Sequence, residues 1–175
     1  ARENACRLPP PGCCRVGCVI ARIARGVGFR AAPQSPFYCL NAMKDLPETV
    51  QRVAAQLQAQ GHPHPPQMLG DACRTAQQAA DALGIAVGQV AKSIIFRRKD
   101  DDAAVLVITS GDRRVDEKKV VALVGTIGRA DAQFVKERTG FSIGGVSPVA
   151  HATPPVTLID RDLLRFDVVW AAAGH

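Results

Sequence analysis

No apolar stretch in this 175-residue chain approaches the roughly 20 residues needed to cross a bilayer; the longest are broken by Arg, Lys or Asp. This excludes an ordinary membrane-spanning helix and sets the expectation of a soluble domain. Also missing are a G-x-S-x-G nucleophile elbow, an H-E-x-x-H zinc motif, a Walker phosphate loop and a G-x-G-x-x-G dinucleotide fingerprint. Serine-hydrolase and metallohydrolase readings therefore fit poorly. Cysteine is scarce beyond residue 42, where Cys73 stands alone. One thiol cannot close an internal disulfide, so a reducing, cytoplasmic compartment is expected.

What is present changes character at Met43. Residues 1–42 hold six Arg, no Lys, one acid (Glu3) and five of the six Cys, whereas residues 43–175 hold sixteen Lys and Arg against fifteen Asp and Glu. The formal charge of +6 is thus concentrated before Met43. Any RNA bound by the body must be held by a local basic patch and by shape, because no global positive field steers it. Three readings of residues 1–42 stay open. One is a metal site on Cys13, Cys14 and Cys18, whose spacing lacks the paired C-x2-C of ordinary zinc sites. Another is an Arg-rich targeting leader, interrupted by Pro9–Pro11. The composition favours a third, translated upstream sequence with Met43 as initiator. Residues 43–175 read as one domain.

Within that body, Asp45 and Pro47 precede Val50, Val53, Ala54 and Leu57 at helical spacing, and Gly61 closes the helix. The run HPHPPQML is too proline-rich for helix and reads as loop or edge strand, with His62 and His64 as surface residues. Thr75 is placed to cap a helix over Ala76–Leu83, ended by Gly84. A short helical segment over Gln89–Ala91 then leads into the strand SIIFR. Val105–Thr109 is a second strand, joined to the first by the acidic turn Asp100–Asp102. Helices follow over Val115–Val124 and Ala130–Thr139, then a strand over Val156–Ile159, a helical turn over Arg161–Phe166 and a strand over Val168–Ala173. Short strands alternating with helices indicate an α/β fold, a mixed sheet covered by helices.

Two features could carry chemistry. Lys92 stands at the entrance of an apolar strand, a position from which lysine ordinarily snorkels to solvent. The segment Gly140-Phe-Ser-Ile-Gly-Gly-Val-Ser-Pro148 contains Gly144 and Gly145, which permit positive φ and close backbone approach to a ligand, and Pro148, which stiffens the exit. A plain tight turn accounts equally well for that segment taken alone.

Together, QVAKSIIF and, about fifty residues later, TGFSIGGVSPVAH resemble the lysine strand and G-x-x-x-P loop of the YbaK/prolyl-tRNA-synthetase-associated family. VLVITSGDRRVDEKKVVALVG and VTLIDRDLL occur between and after them in the family's order. The resemblance implies a curved, partly barrel-like mixed sheet flanked by helices. It also implies an aminoacyl-tRNA deacylase, usually acting on mischarged tRNA-Pro, that works without metal or other cofactor. By the same resemblance Lys92 grips the acceptor end. Gly144, Gly145, Val146, Ser147 and Pro148 present backbone groups to the aminoacyl ester, and Ser93, Phe141 and Asp160 lie near substrate. Phe141 serves as core or pocket wall; Asp160 at a strand end is as readily a cap for the following turn. Neither Ser93 nor Ser147 is cast as an acylated nucleophile. His175 corresponds to a pocket histidine of several relatives, and the family pattern leads one to expect a further strand and helix after it. The implied partner is the acceptor end of aminoacyl-tRNA, with prolyl-tRNA synthetase or an elongation factor as transient protein partner, and neither membrane nor DNA. Two other classes stay open: a non-catalytic acceptor-end or aminoacyl binding module, and a synthetase-associated regulatory domain. The enzyme reading requires Lys92 and the diglycine turn to face a common cavity.

Overall fold

The computed structural model describes residues 19–24, for their backbone, and residues 46–62, 64–69, 73 and 75–174. The helices form where local chemistry starts and stops them. Helix α1, Glu48–Ala59, begins after Pro47 with an acid in its first turn and buries Val50, Val53, Ala54 and Leu57 along one stripe. Helix α2, Ala76–Leu83, opens on a capping box between Thr75 and Gln78 and ends at Gly84 in the left-handed conformation. Asp116 caps α3, Glu117–Val124, and Asp131 caps α4, Ala132–Thr139, which Gly140 terminates.

Among the described residues seven strands form one mixed sheet: β1 (Val19–Ala24), β2 (Gln67–Met68), β3 (Val90–Arg98), β4 (Ala104–Ser110), β5 (Ile127–Arg129), β6 (Val156–Ile159) and β7 (Val168–Ala172). The order is β2-β1-β7-β3-β4-β6, with β5 paired to the far end of β3. Strands β3 and β7 run parallel, as do β4 and β6, while β3 and β4 form the expected antiparallel hairpin. Among the described residues the sheet is open, with β2 and β6 at its two ends, and is not closed into a barrel.

Pleating divides the strand side chains between two cores. On one face Ala91 and Ile95 of β3, Leu106 and Ile108 of β4 and Ala171 of β7 pack with α1, Val135 of α4, Phe141, Val146 and Leu163. On the other, Phe96, Val105, Val107, Val156 and Leu158 pack with Val120 and Val124 of α3, while Val90 packs with Ala79 and Ala80 of α2.

Three local expectations change. Val90 and Ala91 belong to β3, and only Val87–Gln89 coil into a 3-10 turn, because Ala91 already pairs with Ser110 and Ala171. Strand β5 forms in a stretch for which no element was expected, held by three residues of β3. Strand β1 lies in the segment before Met43, where no strand period is visible, and pairs with β7 along five positions. The cysteines proposed as metal ligands lie outside the described residues.

Candidate functional site

Lys92 is the third residue of β3 and pairs directly with Thr109 of β4. Pairing from Ala91 to Arg97 is continuous, so Lys92 leaves the sheet on the α2 and α3 face, with Thr109 beside it. Its chain then runs to the rim. Nζ donates to the carbonyl of Arg113, three residues past the end of β4, at 2.6 Å. An ammonium has three N–H donors, and this bond occupies one.

Asp160 follows β6 immediately and is pinned at three points. Its N–H donates to Ile108 O at 2.9 Å. Oδ1 accepts from Asp162 N at 3.0 Å, capping the 3-10 turn Arg161–Arg165. Oδ2 accepts from Thr109 Oγ1, also at 3.0 Å. The capping role is therefore realised, and the threonine that bonds Asp160 is the cross-strand partner of Lys92. Thr109 is 1% exposed; nothing local in the sequence marks it, since its position follows only from strand register.

The glycine segment belongs to the other core. Phe141, entirely buried, is core rather than pocket wall, lying under the Arg52 guanidinium at 4.7 Å and edge-on to His151 at 5.9 Å. Val146 and Ser147 are buried as well. The chain turns through a Gly145 N to Ser142 O bond of 3.0 Å, with Gly144 at φ 93° and Ile143 61% exposed. His151 Nε2 donates to Ser147 O at 2.7 Å, and Ser147 Oγ accepts from Val149 N at 3.3 Å, fixing the exit past Pro148. Among the described residues, the N–H groups of Gly144, Val146 and Ser147 meet no acceptor. Unpaired backbone donors of this kind, where they converge on one point, can hold a developing oxyanion. Burial pushes the His151 imidazole below its usual value, nearby Arg52 adds to this, and the bond to Ser147 opposes it.

Lys92 and the loop core thus sit on opposite faces, and no hydrogen bond joins them among the described residues. The common cavity expected for Lys92 and the diglycine turn is therefore not formed on either face among the described residues, and a ligand touching both would have to pass around the edge, or rim, of the sheet. Ser93, one residue on, points to the loop's face, where its hydroxyl is buried with no partner among the described residues. Arg52 Nε is in the same condition. His175 lies outside the described residues. An open concavity of about 520 Å³ occurs at the far end of β3, lined by Arg97, Asp102, Phe134 and Arg138 among others, and shares no residue with this rim.

With this geometry in place, comparison identifies the class. Residues 71–175 match the family model described as the aminoacyl-tRNA editing domain, and the chain belongs to that family. Protein YwhH of Bacillus subtilis is 37% identical over 101 residues, 57% of this chain and 64% of that one. A proline–tRNA ligase of a Thermoanaerobacter species is 29% identical over 94 residues, 51% of this chain and 16% of the ligase. The chain therefore spans less than two thirds of either relative. A solved structure described as a candidate trans-editing enzyme for prolyl tRNA synthetase is 41% identical, with a TM-score of 0.69 over 74% of this chain and 82% of that one. Among the described residues, no helix is long and apolar enough to cross a membrane.

Proposed function

We propose that the protein hydrolyses mischarged aminoacyl-tRNA in the cytoplasm, acting in trans on tRNA-Pro that carries a small non-cognate amino acid. One observation carries this reading most directly. The family match covers Lys92, the Gly144–Pro148 turn and Asp160 together, and Lys92 and Asp160 are neighbours of one buried threonine. The likeness to a candidate trans-editing enzyme and to proline–tRNA ligases supports the choice of tRNA-Pro.

The need for such an enzyme is physical. A synthetase pocket discriminates a missing methylene by only ~1–3 kcal/mol, so a second site of different shape must remove the error. In this reading Lys92 holds a phosphate near the acceptor end as a flexible point charge. The acceptor end crosses the rim, and the unpaired N–H groups of Gly144, Val146 and Ser147 receive the ester oxygen as water attacks. The acyl–oxygen bond to the terminal ribose then breaks, and the proton given up by the attacking water reaches the departing ribose oxygen through bulk water or by relay through the neighbouring ribose hydroxyl, leaving free amino acid and uncharged tRNA with no protein side chain acylated. Asp160, engaged on both carboxylate oxygens, anchors the rim.

The test is a deacylation panel on tRNA-Pro charged with Ala, Cys, Ser, Thr or 2-aminobutyrate. Wild type is expected to release at least one of these well above background, and Lys92→Ala to be at least about tenfold slower, the loss of one charge-assisted contact. Background rates throughout, with tight binding of tRNA, would indicate a binding module. Background rates with no tRNA binding would leave a synthetase-associated regulatory role.

A further inference from the structure

The turn Ser110–Gly111–Asp112–Arg113 takes no part in the chemistry above, yet its last carbonyl is the group that holds Lys92 Nζ. The turn closes with Arg113 N donating to Ser110 O at 3.0 Å. It is locked from two sides. Gly111 lies so close to the 3-10 turn before β3 that an added Cβ would overlap the Val87 carbonyl oxygen and stand 3.0 Å from that of Val90. Asp112 accepts from Ser110 Oγ at 2.7 Å and from Arg165 Nη2 at 2.5 Å. Ser110 Oγ also lies 2.6 Å from Gly88 O, and a Cβ on Gly88 would stand 2.6 Å from Arg165 Nη2 and 3.0 Å from Asp112 Oδ2. Arg165 stacks on Phe166 at 4.7 Å, and Arg113 pairs with Asp162 at 2.8 Å.

Three elements are thereby tied to the segment that receives the lysine: the lead-in to β3, the end of β4 and the 3-10 turn after β6. The Asp112–Arg165 pair is over a third exposed on both sides, and exposed pairs contribute little to stability. Such a network, closed around Gly111, where backbone leaves no room for a side chain, has more to offer in geometry than in folding energy. A lysine side chain has four rotatable bonds, so fixing its terminal atom before a phosphate arrives spares that ordering at the moment of binding.

We propose that Asp112 and Arg165 are positioning residues that set the Lys92 ammonium for its phosphate through the Arg113 carbonyl. This rests on the reading of Lys92 as the acceptor-end grip.

The experiment measures the Kd of uncharged tRNA-Pro, at one fixed ionic strength, for wild type, Asp112→Asn, Lys92→Ala and the double variant. Replacing an acid with an amide beside a phosphate site would by charge alone tighten binding. Positioning predicts the opposite sign: Asp112→Asn weakens binding by roughly 3- to 10-fold, part of one charge-assisted contact, and produces no weakening once Lys92 is Ala. Ser110→Ala, which loosens the same carboxylate without changing charge, is expected to weaken binding in the same direction and covers the case in which Asp112→Asn folds poorly. Tighter or unchanged binding in the Lys92 background, or equal weakening with and without Lys92, would overturn the proposal. Wild-type affinity in Lys92→Ala would instead remove the reading on which it rests.

Discussion

Thr109 Oγ1 donates to Asp160 Oδ2 across 3.0 Å, and the same threonine is the cross-strand partner of Lys92. One buried hydroxyl therefore joins the lysine strand to the acid that follows β6. Thr109→Val keeps the shape and leaves a carboxylate oxygen short of a donor, a loss of about 1–3 kcal/mol. Thr109→Ser keeps the donor and is expected to lose less than half of that. Urea unfolding of the three proteins measures both, and equal stability of the Val variant and wild type would contradict the bond.

His151 gives the fold a pH dependence of definite sign. Its native value is held below the ordinary 6.5, first by burial and then by Arg52, against the opposing pull of Ser147. As pH falls through about 6.5 the unfolded chain takes up this proton before the native one does, so stability falls with pH until the native value is passed. His151→Gln is expected to flatten the slope that begins as pH falls through about 6.5, above the range in which Asp101, Asp102 and Asp112, all held low by hydrogen-bonded partners, begin to protonate. Parallel slopes for variant and wild type would show that the imidazole is not buried in solution.

The two glycine sites should respond differently to alanine. At Gly111 an added methyl meets fixed backbone at Val87, and a loss of about 3 kcal/mol or failure to fold is expected. At Gly144 the same methyl meets nothing within 4 Å, but φ is +93°, so only the backbone cost of about 1–2 kcal/mol is expected. Thermal unfolding of both variants distinguishes them, and a larger loss at Gly144 would contradict the described turn.

Much of the fold was legible because its signals are local. The Thr75 cap and the stops at Gly84, Gly125 and Gly140 lie within a few residues of what they control, whereas the helices expected from Val115 and Ala130 each begin two residues later, after the caps Asp116 and Asp131. Strands β1 and β5 were not legible, since each exists by pairing with a partner far along the chain and β5 has only three residues with which to announce itself. The candidate site divides in the same way. Lys92, Gly144 and Asp160 are singled out by the family resemblance, but which sheet face each occupies follows only from register. Thr109, Arg113, Asp112 and Arg165 enter through hydrogen bonds that span 2 to 55 positions, and no run of sequence displays them. Phe141, adjacent to the glycines, has an ambiguity that only its complete burial resolves.

The central claim is that one ligand spans the rim, touching Lys92 on one side and the Gly144 turn on the other. It is tested most directly by amide NMR during titration with an acceptor-stem RNA that carries alanine through a hydrolysis-resistant 3′-amide. The account predicts that the amides of Lys92, Ser93 and Arg113 shift along one saturation curve with those of Gly144, Val146 and Ser147, and that Lys92→Ala weakens the whole set together. Shifts confined to one group, or two groups saturating at different concentrations, would contradict it.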